Sequence, residues 1–543
     1  MKYIVLSLIS AMLLSISWPT YGIPFFIFVA LVPLLMMEHD ISKFSGIKNK
    51  GSLVFGLSYI CFLIWNIVTT GWLYGSKNPD GTHSLFAVAV PVILNSLFYS
   101  FIFQLYHWYK NAQGTYWGLT FFVAIWMCFE KFHLSWELTW PWLNLGNVFA
   151  DYPKIIQWYD TLGATGGSFW ILLINVYAFY TLRIWEAGRK RKSLIINSSV
   201  LVMAIAVPML ISLVKYNNFE EKPIGSVNVL MLQPELDPYT EKYSKDSLTI
   251  LNDLLTLAET NSKGQIDYYI GPETSIPGFG SISENGFEQS MLLNTVKGFL
   301  AKHPKSVFAT GISSHRFYAD ENEKSETAYQ TSQGMYVDSY NSAVQIIPNQ
   351  KVEVYHKGKL VPGVEIFPYI NVLKPLLGDA MLNLGGTTAS LGIDKERIAF
   401  TNPYNPGKLA PIICYESIYG EFVTDYVKKG ANFLAIMTND SWWGVTQGHQ
   451  QLMAYARLRA IETRREIARS ANSGISAHIN ARGDVLADTL YGDKTTLFAK
   501  INLYDGMTFY SRAGDLLSRI SVFVLGFLVF YTLIKKFQNR KKG

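Results

Sequence analysis

Charge is scarce in this chain. Asp, Glu, Lys and Arg make up 16% of its 543 residues, where a soluble domain usually carries about 25%. The net charge of +6 at pH 7 is modest, and no dense basic stripe lies in the polar part of the sequence, which argues against a nucleic-acid partner. Cysteine is scarcer still: Cys61, Cys128 and Cys414 are all there is. The first two sit in apolar runs, so the polar region holds only Cys414 and can form no internal disulfide. The nine histidines are scattered without ligand spacing, so no metal is expected. No internal repeats stand out.

Apolar and aromatic residues are abundant instead. Hydrophobic residues reach 49%, and 14 Trp, 32 Tyr and 33 Phe bring the aromatic share to 15%, a composition that suits membrane interfaces. A bilayer span needs roughly 17–25 apolar residues. Eight such runs are read, at about 3–20, 22–38, 52–73, 85–108, 116–133, 166–184, 194–214 and 516–534. The first ends at Trp18-Pro19; a helical hairpin with the second run is the preferred reading and a signal peptide the competing one.

Loop charges set the orientation. With the N-terminus inside, the inner loops hold Lys43, Lys48, Lys50, Lys110, Arg189, Lys190, Arg191 and Lys192, and the tail adds Lys535, Lys536, Arg540, Lys541 and Lys542. The outer loops hold Lys77 and Lys154. This bias puts the long polar stretch on the outer side. Three regions follow: membrane helices one to seven over 1–216, an extracytoplasmic domain over 217–511, and a last helix with a basic cytoplasmic tail over 512–543. The aromatic outer loop 134–149, interrupted by Pro141, reads either as a floor in the interface beneath the outer domain or as a simple aromatic belt.

The outer domain alternates short strands with helices. Strands are expected at 226–232, 266–270, 306–310, 343–347, 352–356, 409–413, 433–438, 467–471 and 475–480, and helices at 248–260, 421–429 and 447–463. Such alternation argues for an α/β layered domain. The acidic stretch 319–333 reads as a mobile surface loop.

Three residues at strand ends can carry chemistry. Cys414 follows an apolar strand and precedes a helix, whose unpaired N–H groups favour thiolate and a developing oxyanion. Glu273 ends its strand in GPETSIPG, where partial desolvation would raise its pKa and suit it as a general base. Lys357 follows VEVYH; a lysine beside a thiol lowers the thiol's pKa and can hold an oxyanion. Lys359 is a rival for that role, and Glu365 and Glu416 are candidate partners of Lys357 and Cys414. Taken singly, each also fits a bland reading as a buried thiol, a turn glutamate or a solvated lysine.

Taken together, GPETSIP, YHKGKLVP and IICYES resemble the nitrilase superfamily, which joins a Glu base, a Lys and a Cys nucleophile on an α-β-β-α sandwich. The whole chain resembles the bacterial apolipoprotein N-acyltransferase family. The pieces that carry this are PWLNLG (141–146), KGKLVPGVEIFP (357–368), ICYES (413–417), NDSWWG (439–444), HQQLMAYARLRAIETRR from His449 and ARSANSGISA from Ala468. The resemblance implies a polytopic membrane bundle of about eight helices carrying a nitrilase-like α/β domain. It implies Glu273, Lys357 and Cys414 as catalytic, Glu365, Tyr415 and Glu416 as supporting, and Tyr243, Asn439 and Trp442 as bordering the substrate. It also implies a bacterial inner membrane with the catalytic domain on the periplasmic side. No cofactor is expected; the implied partners are a phospholipid donor, phosphatidylethanolamine, a diacylglyceryl lipoprotein acceptor and the bilayer. Tyr243 stands near where a family tryptophan is frequent, Gly363-Val364 where Phe-Gly is usual, and Trp443 where Phe is common.

The alternative is a membrane-anchored nitrilase-type amidohydrolase acting on a small amide, although one anchor would serve that enzyme. A transporter is disfavoured by mostly apolar spans, and a Cys–His hydrolase using His356 or His449 by the lack of a matching setting.

Overall fold

A computed structural model describes residues 1–78, 81–188, 191–220, 222–242, 244–277, 281–370, 372 and 390–540. Tyr243, Arg189, Lys190, Lys541 and Lys542 lie outside the described residues. The chain forms two compact units, one of Met1–Trp72, Val88–Asn218 and the chain from Ala513 onward, the other of Leu73–Ala87 and Phe219–Arg512.

The first unit is helical. Its helices are α1 (Lys2–Ser17), α2 (Val32–Lys43), α3 (Lys50–Thr70), α4 (Leu85–Gln113), α5 (Thr115–Phe132), α6 (Tyr159–Glu186), α7 (Arg191–Asn217) and the C-terminal helix Leu516–Arg540. All eight apolar runs are thus helical. Among the described residues, six spans are long and apolar enough to cross a membrane. The two that fall short are α1, with 16 residues, and α5, which closes on Glu130 and Lys131. The second span is broken into a 3-10 turn, Pro24–Phe28, and α2. Asn175 mends the break: its amide donates to Ile27 O and accepts from Leu31 N–H, both at 2.8 Å. A bilayer leaves no water to do this. On α7 the only buried side chain is Ser212, while Ile195, Val202, Met203, Leu210 and Val214 point outward, a surface suited to lipid.

One expectation is corrected in this unit. Of the two readings of the stretch 134–149, an outward-facing aromatic belt does not fit 139–149, because residues 139–150 are all buried. Its polar backbone is satisfied from within the helices: Leu145 N–H donates to Glu130 Oε1 at 2.9 Å and Gly146 N–H to Ser168 Oγ at 2.9 Å. Trp142 packs on Trp72 with centroids 4.8 Å apart. The proline that interrupts the apolar run starts a 3-10 turn, Pro141–Leu143, that folds the segment inward.

The second unit is a four-layered α-β-β-α sandwich. One sheet runs β14 (Thr495–Leu503), β1 (Gly225–Gln233), β2 (Tyr268–Ile270), β4 (Val307–Tyr318), β6 (Tyr336–Ile346) and β5 (Tyr329–Gln330), with β3 (Ile282–Ser283) beside β4 and β7 (Glu353–His356) beside β6; the other runs β13 (Val485–Asp488), β12 (Ala477–Ile479), β11 (Ile467–Ala471), β10 (Phe433–Thr438), β9 (Lys408–Ile413) and β8 (Phe400–Thr401). The strands that position the site are β1, β2, β6, β7, β9, β10 and β11. β9, β10 and β11 are parallel and almost wholly buried, which explains the apolar runs of β9 and β10; in β11, Arg469 pairs with Asp440 and Ser470 bonds Leu232 O. The sheets meet face to face: Ser470 Oγ donates to Leu232 O at 2.8 Å, and Tyr268 stands edge-on to Phe433 at 5.2 Å. Helices α8 (Ser247–Asn261) and α9 (Met291–Lys302) cover the first sheet through Leu251, Leu254, Leu293 and Leu300. Helices α10 (Gly420–Lys428) and α11 (Gln447–Thr463) lie by the second, Tyr426 donating to Pro411 O at 3.3 Å. The acidic stretch 319–333 is more structured than its composition suggests, for Tyr329–Gln330 forms β5 on the edge of β6.

Candidate active site

Four strand ends build the site: β2 leads to Glu273, β7 to Lys357, β9 to Cys414 and β10 to Asn439. Cys414 takes a left-handed backbone, φ 47°, strained for any side chain and tolerable only where its surroundings over-determine it. They do so here through Glu416. This fully buried carboxylate accepts from Ile413 N–H at 2.8 Å, Gly358 N–H at 2.6 Å, Tyr355 OH at 2.6 Å and Tyr426 OH at 3.0 Å. Burial pushes its carboxyl above the ordinary range, against the pull of those donors. The helix expected at 421–429 is α10, Gly420–Lys428, and a 3-10 turn, Cys414–Ile418, lies between it and the strand.

Glu273 and Lys357, both buried, form one cluster with the partly exposed Glu365. Lys357 Nζ donates to Glu273 Oε1 and Glu365 Oε1, each at 2.9 Å. Asn341 on β6 bridges the same two oxygens, each at 2.8 Å. The other Glu273 oxygen accepts from Asn439 N–H at 3.1 Å. Lys357 is 1% exposed and Glu273 6%. Glu365 also accepts from Val361 N–H at 2.8 Å, closing the loop that presents the lysine. Lys359 turns away, its ammonium over the rings of Tyr419 (5.0 Å) and Phe422 (5.9 Å).

The electrostatics overturn two expectations. Burial alone would raise the Glu273 carboxyl, but the charge and hydrogen bond of Lys357, then Asn341 and Lys242, hold it below its ordinary range. Burial would likewise lower Lys357, yet Glu273, Glu365 and Cys414 hold it well above the usual lysine value. Burial and then the Glu273 charge push the Cys414 thiol up, outweighing the help of Lys357. The resting site is therefore a neutral thiol facing a carboxylate–ammonium pair. The sequence suggested a raised glutamate and a lowered cysteine because it could not reveal that Lys357 spends its charge on two carboxylates.

Of the other expected residues, Asn439 is drawn in by its backbone; its side-chain Oδ1 accepts from Ser441 Oγ at 2.6 Å and Asn472 Nδ2 at 3.2 Å. Trp442 is half-buried, edge-on to Tyr239 at 5.3 Å. Tyr415 is buried against Tyr419, centroids 5.3 Å apart. His356 is occupied with Ser342 Oγ (2.8 Å) and stacks on Tyr340 (4.0 Å), and His449 lies on Tyr491 (4.7 Å). Sequence reasoning missed Asn341, which no motif marks, and Lys242. The latter is 2% exposed, donates to Thr274 Oγ1 and lies 5.7 Å from the Trp442 ring centre. Its position next to Tyr243, in a motif already singled out for its aromatic residue, was the available signal. Among the described residues no group of side chains suits a metal ion.

Residues 232–506, half of the chain, match the carbon-nitrogen hydrolase family. The chain belongs to that family. Residues 10–177 match a second family, the apolipoprotein N-acyltransferase N-terminal domain. Among similar proteins, an apolipoprotein N-acyltransferase of Chlorobaculum tepidum is 27% identical over 540 residues, 98% of this chain and 96% of that one. Those of Geobacter metallireducens (24% over 520 residues, 94% and 91%) and Haemophilus influenzae (25% over 503 residues, 90% and 87%) are also similar. A solved structure of a Saccharomyces cerevisiae member of branch 10 of the nitrilase superfamily is 14% identical, covers 52% of this chain and 92% of that one, and has a TM-score of 0.36.

Proposed function

We propose that this carbon-nitrogen hydrolase family member is an apolipoprotein N-acyltransferase, moving a fatty acyl chain from a phospholipid, through a thioester on Cys414, to the N-terminal amine of a diacylglyceryl-cysteine lipoprotein. The observation that carries the reading is the buried Glu273–Lys357 pair, flanked by Glu365, acting on Cys414, in a chain whose N-terminal part matches a domain particular to acyltransferases of this name. That match favours transfer over hydrolysis of a small amide.

The reaction is ping-pong. Glu273 accepts the thiol proton as Cys414 sulfur attacks the ester carbonyl of the donor, phosphatidylethanolamine. The Lys357 ammonium holds the oxyanion of the tetrahedral intermediate. The carbon–oxygen ester bond breaks, Glu273 returns the proton to the departing glycerol oxygen, and a lysophospholipid leaves behind a thioester. In the second half, the lipoprotein amine attacks the thioester carbon, Glu273 takes a proton from the nitrogen, and the carbon–sulfur bond breaks. The sulfur regains its proton, leaving an amide. Because the resting thiol is held up and Glu273 down, free thiolate is a minor species, and proton transfer accompanies attack.

Membrane helices suit such substrates, since each acyl CH₂ drawn into water costs about 0.8 kcal/mol. The aromatic loop 439–444, with Trp442 and Trp443, would serve as a cover against water that hydrolyses the thioester. The excess of Lys and Arg in alternate loops supports a bacterial inner membrane orientation with the sandwich on the periplasmic side. Mass spectrometry of protein incubated with phosphatidylethanolamine vesicles tests the chemistry: a fatty-acyl adduct is expected on Cys414, discharged by a diacylglyceryl lipopeptide. Steady lysophospholipid and free fatty acid release without acceptor would point to a hydrolase instead.

A further inference from the structure

The site holds a second buried lysine that the mechanism above does not use. Lys242 lies in the turn 237–242, tied by its N–H to Asp237 O at 3.0 Å. Its ammonium donates to the Thr274 hydroxyl, and Thr274 follows Glu273 in a left-handed backbone, φ 45°. Adjoining segments hold the turn in place. Leu236 N–H donates to Asn472 Oδ1 at 3.1 Å, and Tyr239 OH donates to Trp442 O at 2.9 Å. Four ionisable groups act on Lys242: Glu273, Cys414, Lys357 and Glu365. Asp440 also acts on Cys414, but its charge is matched by Arg469, Oδ2 to Nη2 2.8 Å.

The charges add up simply. Glu273 and Glu365 carry two negative charges, Lys357 one positive, and the thiol none. Without a further cation the set would hold an unmatched negative charge, which is expensive where Glu273, Lys357 and Cys414 are all buried. Lys242 makes the set neutral. Passing the thiol proton to Glu273 moves the negative charge to sulfur, and attack moves it to the ester oxygen; the sum stays zero throughout. Resting on the acyl-transfer reading, we propose that Lys242 is a positioning residue: its ammonium anchors the Glu273 turn through Thr274 and matches the negative charge that travels from carboxylate to sulfur to oxyanion. Burial lowers this lysine to about 8, against the pull of Glu273, so it is charged at neutral pH and its support fades as pH rises through that value.

The test reads the sulfur directly, as the rate at which iodoacetamide alkylates Cys414 in the full-length protein in detergent, followed against pH by peptide mass spectrometry. Removing the cation in Lys242→Met should slow alkylation at pH 7 about tenfold and move its profile up by about one pH unit. Lys242→Arg keeps the charge and should stay within about threefold of wild type. An unmoved profile in Lys242→Met, or an Arg variant as slow as the Met one, overturns the proposal. If Lys242→Met fails to fold by thermal melting, Thr274→Ala decides. An upward move of the profile, with alkylation at pH 7 slowed about threefold, upholds the idea, and none overturns it. Alkylation needs neither lipid nor lipoprotein, so this result is separate from whether acyl transfer is the reaction.

Discussion

Each unit buries a lysine against a carboxylate, and the two clusters differ in what is left over. In the helical unit, Glu38 on α2 pairs with Lys110 on α4, and its other oxygen faces His107 Nδ1 at 2.8 Å and accepts from Ser42 Oγ at 2.7 Å. Every charge there is consumed in stapling two helices. In the sandwich, Lys357 and Glu273 are as deeply buried, yet beside them sits the thiol of Cys414 on a left-handed turn. A buried ion pair alone is thus weak evidence for function. What marks the second cluster is a thiol, the proposed nucleophile, held in an unfavourable backbone by a dedicated carboxylate.

Removing the nucleophile should separate the clusters most. Cys414→Ser is expected to abolish the acyl adduct and lower turnover by about 10³-fold or more, with a melting temperature near wild type. Next come the two lysines. Lys357→Met and Lys110→Met each strand a buried carboxylate and should each cost about 3–5 kcal/mol of stability, measured by denaturant or thermal unfolding. Only the Lys357 variant should change the alkylation rate of Cys414; an equal change from Lys110 would erase the distinction. A pH series gives a subtler contrast. Glu273 lies below its ordinary value of 4.5, so its ionised form stabilises the fold above that pH, and the contribution is lost as pH falls further. Donor-step activity should accordingly have no acid limb between about pH 5 and 7; one appearing there would show that another group accepts the proton. The smallest effect is expected from Lys359→Ala, which removes ring contacts worth about 0.5–1 kcal/mol and should leave turnover within a few-fold.

Much of this was legible in the sequence because the relevant signals are local. Strand β9 ends where its apolar run ends, so Cys414 was placed at a strand terminus from periodicity alone, as were Glu273 and Lys357. The eight apolar runs became eight helical segments for the same reason. Features set by distant contacts were not legible. Asn341 and Lys242 join the cluster through tertiary packing that no spacing encodes, and the directions of the Glu273 and Cys414 shifts depend on how one ammonium is shared. The stretch around Pro141 reads as interfacial by composition, yet Glu130 and Ser168 supply the hydrogen bonds that let it fold inward. The choice between Lys357 and Lys359 was open in sequence and turns on distant partners, Glu273 for the first lysine and the Tyr419 and Phe422 rings for the second.

Glu416 grips the amide before the nucleophile and the amide after the lysine with one side chain. The gap between sulfur and ammonium is therefore preset, like the jaws of a calliper locked by a single screw. Donors with different headgroups and chain lengths would meet the same reacting geometry, and adaptation to them would fall to the loops around Tyr239 and Trp442.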